Sequence, residues 1–93
     1  MNEKEFIDKL RAEGFEGPED FLMGPNEVDE KHTHDTDTLG LVVEGSIVIE
    51  KTSGDVFCSV GDTVYYPAGE IHAEKAGPNG VKALVGWRDP VKK

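Results

Sequence analysis

Histidine occurs three times in this chain, at positions 32, 34 and 72, and its placement is what first suggests chemistry. His32-Thr33-His34 sets two imidazoles two residues apart. In an extended strand residues i and i+2 project from one face, so both rings can reach a single ion. Neutral imidazole suits Zn, Fe, Ni, Cu or Mn better than Mg or Ca. Taken alone, with Glu30, Lys31 and Asp35 around it, the pair reads first as a solvated polar strand and only second as a metal site. The second informative segment runs Gly61-Asp62-Thr63-Val64-Tyr65-Tyr66-Pro67-Ala68-Gly69-Glu70-Ile71-His72. Gly61 allows a tight turn between strands and Pro67 ends a strand. Gly69 then turns the backbone so that the next strand can aim His72 inward.

These side chains need elements to hold them. Residues 2–13 read as a short amphipathic helix, with Phe6, Ile7 and Leu10 on one side at helical spacing. Gly14 stops it and Gly17-Pro18 prevents its continuation. Phe21-Leu22-Met23 and the region around Val28 read as short strands separated by Gly24-Pro25-Asn26. From residue 39 onward the pattern is all β. An apolar strand over 39–44 meets the turn signal Glu44-Gly45 and returns over 46–51. Ser53-Gly54-Asp55 leads to a strand over 56–60, and Gly61-Asp62 to one over 63–66. A strand over 71–75 meets Gly77-Pro78-Asn79-Gly80 and returns over 81–88. Strands about 8–12 residues apart, with Gly at nearly every turn, argue for a sandwich or barrel and not for βαβ units. The expected organisation is a helix and lead-in over 1–20, a barrel over 21–88 and a loose tail over 89–93.

Composition narrows the function classes. The chain has 93 residues, enough for one small domain, and a domain of that size buries only about 60–65% of the surface of its unfolded chain. A bound metal or self-association would add stability. The formal charge is −9, from 19 acidic and 10 basic residues. The acidic excess lies in residues 1–39, which hold 12 Asp or Glu against 4 Lys or Arg. Without a Lys/Arg stripe the chain is a poor ligand for nucleic acid or an anionic membrane face, and a solvated acidic surface explains the charge. One cysteine, Cys58, excludes an intrachain disulfide. Met1–Glu5 has no apolar stretch of the kind a secretory signal needs, and no apolar run approaches the ~18 residues that span a bilayer. The expectation is a cytoplasmic protein that binds neither nucleic acid nor membrane, and whose exposed sheet edges favour a homodimer.

The spacing from Gly61 to His72 (Gly, five residues, Pro, one residue, Gly, two residues, His) resembles the second motif of the cupin superfamily, whose first motif is built on His-x-His. The resemblance covers roughly residues 26–88. It implies an all-β fold, a small antiparallel jelly-roll barrel with a metal inside its mouth. It also implies that His32, His34 and His72 are the metal ligands, for a divalent transition metal such as Fe, Mn, Ni or Zn. The chain departs from the pattern at three places. Thr38 stands where the first motif supplies a Glu ligand, Asn26 replaces the leading Gly, and Ala76 replaces the closing Asn of the second motif. A fourth ligand could still come from Asp37, re-aimed by a local bulge, or from Thr38. The favoured alternative is a three-His centre, as in cupins that resemble thiol or diketone dioxygenases. Three neutral ligands leave the full charge on the metal, making it a stronger Lewis acid and a better host for an anionic substrate.

Other residues have two readings each. Cys58 alternates with Val56 and Val60 and reads as a small buried residue before it reads as a reactive thiol. One of Tyr65 and Tyr66 should face the barrel, where its hydroxyl could meet a substrate or simply pack. Glu74 shares strand phase with His72 and is either a proton acceptor or an exposed rim carboxylate. Trp87 and Arg88 fall on opposite faces of the last strand: Trp87 packs, and Arg88 binds a substrate carboxylate or pairs on the surface. Tyr66, Glu74 and Arg88 are thus the catalytic candidates. Three functions fit: an enzyme of oxygenase, isomerase or decarboxylase type acting on a small organic molecule; a non-catalytic module that binds or senses a small ligand; or a metal-bearing barrel that mainly supports a dimer.

Overall fold

The computed structural model describes residues 1–90. Its one helix, α1 (Glu3–Ala12), starts at a capping box. Asn2 Oδ1 accepts from the Glu5 N–H at 2.8 Å, and the Glu5 carboxylate accepts from the Asn2 N–H at 3.0 Å, which satisfies two of the donors that a helix start leaves open. Phe6 and Leu10, one turn apart on the same side, are buried against Phe15, Leu39, Leu41 and Leu84. The helix therefore seals the outside of a sheet and leaves the interior of the barrel to other side chains.

Six antiparallel strands follow: β1 (Glu16–Met23), β2 (Val28–His32), β3 (Asp37–Lys51), β4 (Gly54–Ser59), β5 (Thr63–Tyr66) and β6 (His72–Arg88). The long strands β3 and β6 pair with each other from Asp37↔Arg88 to Lys51↔His72. At one end β1 pairs with residues 81–87 of β6, and β5 with residues 38–41 of β3. At the other end β2 pairs with residues 72–75 of β6, and β4 with residues 46–51 of β3. The result is two facing layers, β1-β6-β3-β5 and β2-β6-β3-β4, that share two bent strands. Met23, Val42, Ile47, Ile49, Cys58, Tyr66, Ala76 and Val81 fill the space between them. This is the small antiparallel jelly roll expected from the sequence.

Two expected hairpins are corrected. Glu44-Gly45 and Gly77–Gly80 do not return the chain; β3 and β6 each run straight through them. The register jumps from Gly45↔Val81 to Ile47↔Ala76, so residues 77–80 bulge out opposite Ser46 and both strands turn a corner together. Gly45 has φ +74°, and a Cβ there would lie 2.0 Å from the Gly80 carbonyl oxygen. Only a residue without a side chain lets the two backbones meet at this corner. The first strand is also longer than its apolar segment suggests. It begins at Glu16, with a register irregularity between Glu16 and Glu19 around Gly17-Pro18. Asp89 and Pro90 have no regular structure, and residues 91–93 of the expected tail lie outside the described residues.

Candidate metal centre

β2 ends at His32, with His34 just beyond it, and β6 begins at His72, directly across from His32 in the register. The fold thus brings together three rings that are 38 or more residues apart in sequence in two of their pairings. Ring centroids lie 4.9 Å apart for His32–His34, 4.4 Å for His32–His72 and 5.2 Å for His34–His72. One ring nitrogen from each falls within 4.8 Å of the others, a separation that one ion can bridge at bond lengths of roughly 2.0–2.2 Å. His72 is buried, His32 half-buried and His34 exposed, so the cluster opens toward solvent on the His34 side.

The backbone sets the tautomers of two rings in the same way. His32 Nδ1 lies 2.6 Å from the Glu30 carbonyl oxygen, and His72 Nδ1 lies 3.0 Å from that of Glu70. A carbonyl only accepts, so each Nδ1 carries the proton and each Nε2 offers its lone pair to the cluster. Such an outer hydrogen bond is the usual support of a metal-binding histidine. His72 Nε2 is buried and has no hydrogen-bond partner among the described residues. Leaving such an atom unpaired costs about 1–3 kcal/mol, and a metal ion would satisfy it. For His34, partial desolvation first, and then the positive charge its two histidine neighbours can carry, push its pKa below the ordinary value and favour the neutral ring that a metal requires.

Glu74 is not a rim carboxylate. It is 7% exposed, with Oε1 3.5 Å from His32 Nε2 and 3.9 Å from His72 Nε2. The Tyr66 hydroxyl donates to its Oε2 at 3.1 Å, and the Tyr66 ring stacks on His72 at 4.2 Å between centroids. Burial raises the Glu74 pKa, against the opposing pull of the Tyr66 hydrogen bond and of His72 and His32. Burial, followed by the Glu74 charge, drives the Tyr66 hydroxyl far above its usual range, so Tyr66 stays a proton donor. Glu74 groups with Asp29 and His32, a second set of three ligand atoms within 4.8 Å of one another, and not with the three-histidine set.

The other candidates separate. Thr38 lines the same cavity as His32, His34, Tyr66 and Glu74. Asp37, one residue earlier and so on the opposite face of β3, accepts from the Ala68 N–H at 2.9 Å and lies 3.8 Å from Arg88 Nε. Arg88 also donates to the Glu13 carbonyl and sits over the Phe15 ring, 4.2 Å from its centroid. Both residues are thereby held outside the barrel, and Arg88 is not among the residues lining the cavity. Tyr65 is exposed and Tyr66 buried, as strand alternation requires. Cys58 is buried and its thiol is pushed up, by desolvation first and by Asp62 second. Trp87 is more than packing, because together with Phe21, Val64 and Val85 it walls a cavity of about 350 Å³ beside the histidines. Sequence reasoning missed Glu19 and Asp29, which also line it. The available signal was strand phase: Glu19, Phe21 and Met23 alternate toward the interior.

Fold and site together define a small jelly-roll barrel with a histidine cluster at its mouth. A family model described as "Cupin domain" matches residues 20–84, and the chain belongs to the cupin superfamily. No protein of curated function matches it in sequence. Among solved structures it is similar to a DMSP lyase, DddQ, from Ruegeria pomeroyi DSS-3, with 21% identity and a TM-score of 0.71 over 80% of this chain and 38% of that one. It is also similar to a cupin superfamily protein from Desulfitobacterium hafniense DCB-2, with 27% identity and a TM-score of 0.67 over 75% and 63% of the two chains. A third is the polyketide cyclase RemF from Streptomyces resistomycificus, with 25% identity and a TM-score of 0.65 over 73% and 50%. The chain thus spans between 38% and 63% of the length of these three. Among the described residues no helix is long and apolar enough to cross a membrane.

Proposed function

We propose that this cupin is a metal-dependent enzyme acting on a small organic molecule held in the barrel, with His32, His34 and His72 as the protein ligands. The observation that carries the reading is the buried, unpartnered Nε2 of His72, held in its tautomer by Glu70 and facing two further imidazoles. The donor set, three neutral nitrogens, suits Fe, Mn, Ni or Zn. When bound, such an ion polarises an oxygen of the substrate as a Lewis acid. The chain's own groups do the rest. Glu74, buried beside the cluster, accepts a proton from the substrate. Tyr66 holds the Glu74 carboxylate in place through its hydroxyl. Phe21, Val64, Val85 and Trp87 exclude water from the reacting end.

The alternative is a non-catalytic module that binds or senses a small ligand in the same barrel. A buried ionisable residue at the histidines favours the enzyme, since an apolar closed pocket would serve binding alone. Elemental analysis of untagged protein tests the metal, with one equivalent of transition metal per chain expected. Oxygen uptake across thiols, diketones and keto acids, with iron restored, tests the dioxygenase branch. Silence on that panel together with tight ligand binding would favour the module. A homodimer belongs to the same proposal. It is supported by the free edge of β4, where Phe57 is 65% exposed, and a monomer in light scattering at high concentration would remove it.

A further inference from the structure

We propose that the ligand of this barrel carries a positively charged head on a compact apolar body, and that Glu19, Phe21 and Trp87 form the subsite for that head. This rests on the reading that the barrel cavity is the substrate site, and it goes beyond the metal chemistry. Among the described residues that line the cavity there is no Lys or Arg, while Glu19, Asp29 and Glu74 are all present. Two basic residues beside it, Arg88 next to Trp87 and Lys51 opposite His72, are committed elsewhere. Arg88 is held by Asp37, Glu13 and Phe15. Lys51 pairs with Glu70 at 2.8 Å and donates to the Tyr65 carbonyl at 2.9 Å. An anionic substrate, the expectation from three neutral ligands alone, would find no Lys or Arg along this cavity.

The β1–β6 wall supplies what a cation needs. Glu19 pairs with Val85 and Phe21 with Ala83, and Val85, Ala83 and Trp87 share one face of β6 at alternate positions, all lining the cavity. A carboxylate and two aromatic rings therefore converge on one wall. Aromatic faces attract cations through the ring quadrupole, and quaternary ammonium is a group such faces recognise. The cavity of about 350 Å³ is walled mainly by apolar side chains along Leu41, Val42, Ile47, Val64, Ala83 and Val85, which favours an alkyl body. His32 and His34 of the histidine cluster line the same cavity.

Trp87 is the single tryptophan of the chain and lines the cavity, so its fluorescence reports occupancy. The test is titration of metal-free and zinc-loaded protein with three compounds of nearly equal shape: choline, 3,3-dimethylbutan-1-ol and 3,3-dimethylbutanoate. Choline should bind at least tenfold tighter than the neutral alcohol in both forms, with the carboxylate weakest in the metal-free form. Glu19→Gln, a change at an exposed position, should remove most of the choline preference and leave alcohol binding within about twofold. Equal or tighter binding of the alcohol or the carboxylate to metal-free protein, or no response to choline, would overturn the charge assignment. So would an unchanged choline preference in Glu19→Gln. Failure to take up zinc, with the choline preference intact in metal-free protein, would instead count against the metal reading alone.

Discussion

Replacing His72 by Ala separates a metal role from a packing role. In metal-free protein the imidazole stacks on Tyr66 at 4.2 Å and donates to the Glu70 carbonyl at 3.0 Å. It also keeps one buried nitrogen unpaired, at a cost of about 1–3 kcal/mol. Truncation loses the packing and the hydrogen bond but removes the orphan, so these effects offset one another. The metal-free variant should melt within about 2 kcal/mol of the parent. Metal changes the comparison. At free metal a hundredfold above Kd, binding to the native state alone adds about 2.7 kcal/mol. For a chain of this size 1 kcal/mol moves Tm by roughly 4–8 °C, so the parent should gain on the order of 10–20 °C. With one of three donors gone, free metal no longer much exceeds Kd, and the shift should fall to about 3 °C or less. The measurement is calorimetric melting of chelator-treated protein with and without Zn, Ni, Mn or Fe. An equal metal shift in His72→Ala and parent, or no shift in the parent with any of the four, would refute the reasoning.

Three further outcomes follow from the fold. Gly45→Ala places a Cβ 2.0 Å from the Gly80 carbonyl at φ +74°; it should cost about 3 kcal/mol or more and lower the urea midpoint with m unchanged. Asn2→Ala removes the acceptor for the Glu5 N–H at the start of α1, and chemical denaturation should show a loss of about 1 kcal/mol. Cys58 is 2% exposed, with its thiol raised above the ordinary 9.0. The thiolate is the reactive form, so Ellman's reagent at about pH 8 should react at least roughly tenfold slower than with free cysteine until urea unfolds the chain. Because the folded state holds that proton more tightly, stability should also decline as pH rises above about 9, and less so in Cys58→Ala.

The parts of the fold that depend on local pattern were legible. Helical spacing of Phe6 and Leu10 located α1, and alternation placed Tyr66 inside and Tyr65 outside. Strand phase also put Trp87 and Arg88 on opposite faces. What depends on distant partners was not legible. Glu44-Gly45 and Gly77–Gly80 are good turn sequences, and a hairpin and a paired bulge ask for the same glycines. Only the pairing of β3 with β6 along their length decides between them. Burial of Glu74 could not be seen either, because its partners Tyr66 and His32 arrive from β5 and β2. Asp37 required a bulge to face inward. Instead the Ala68 N–H and Arg88, from beyond β5 and the end of β6, draw it outward in ordinary strand geometry.

On the proposed reading, the exchange of carboxylates explains the departure at Thr38. A glutamate on β3 at that position would be a ligand, and a carboxylate bound to a metal is a poor proton acceptor. Thr38 still lines the cavity but brings no carboxylate ligand to the centre. The buried carboxylate enters instead from β6, two residues past His72. There Tyr66 holds one of its oxygens, and the other lies 3.5 Å from His32. A carboxylate beside the histidines but outside their ligand set is placed to take a proton from a substrate held in the cavity. Glu74→Gln keeps the shape and the acceptor for Tyr66 but cannot take that proton. It should therefore leave metal affinity within about threefold and lower turnover by roughly 10²–10⁴. Loss of metal binding in Glu74→Gln would make Glu74 a ligand and not a base. Full turnover with full metal content would leave it a structural partner of Tyr66.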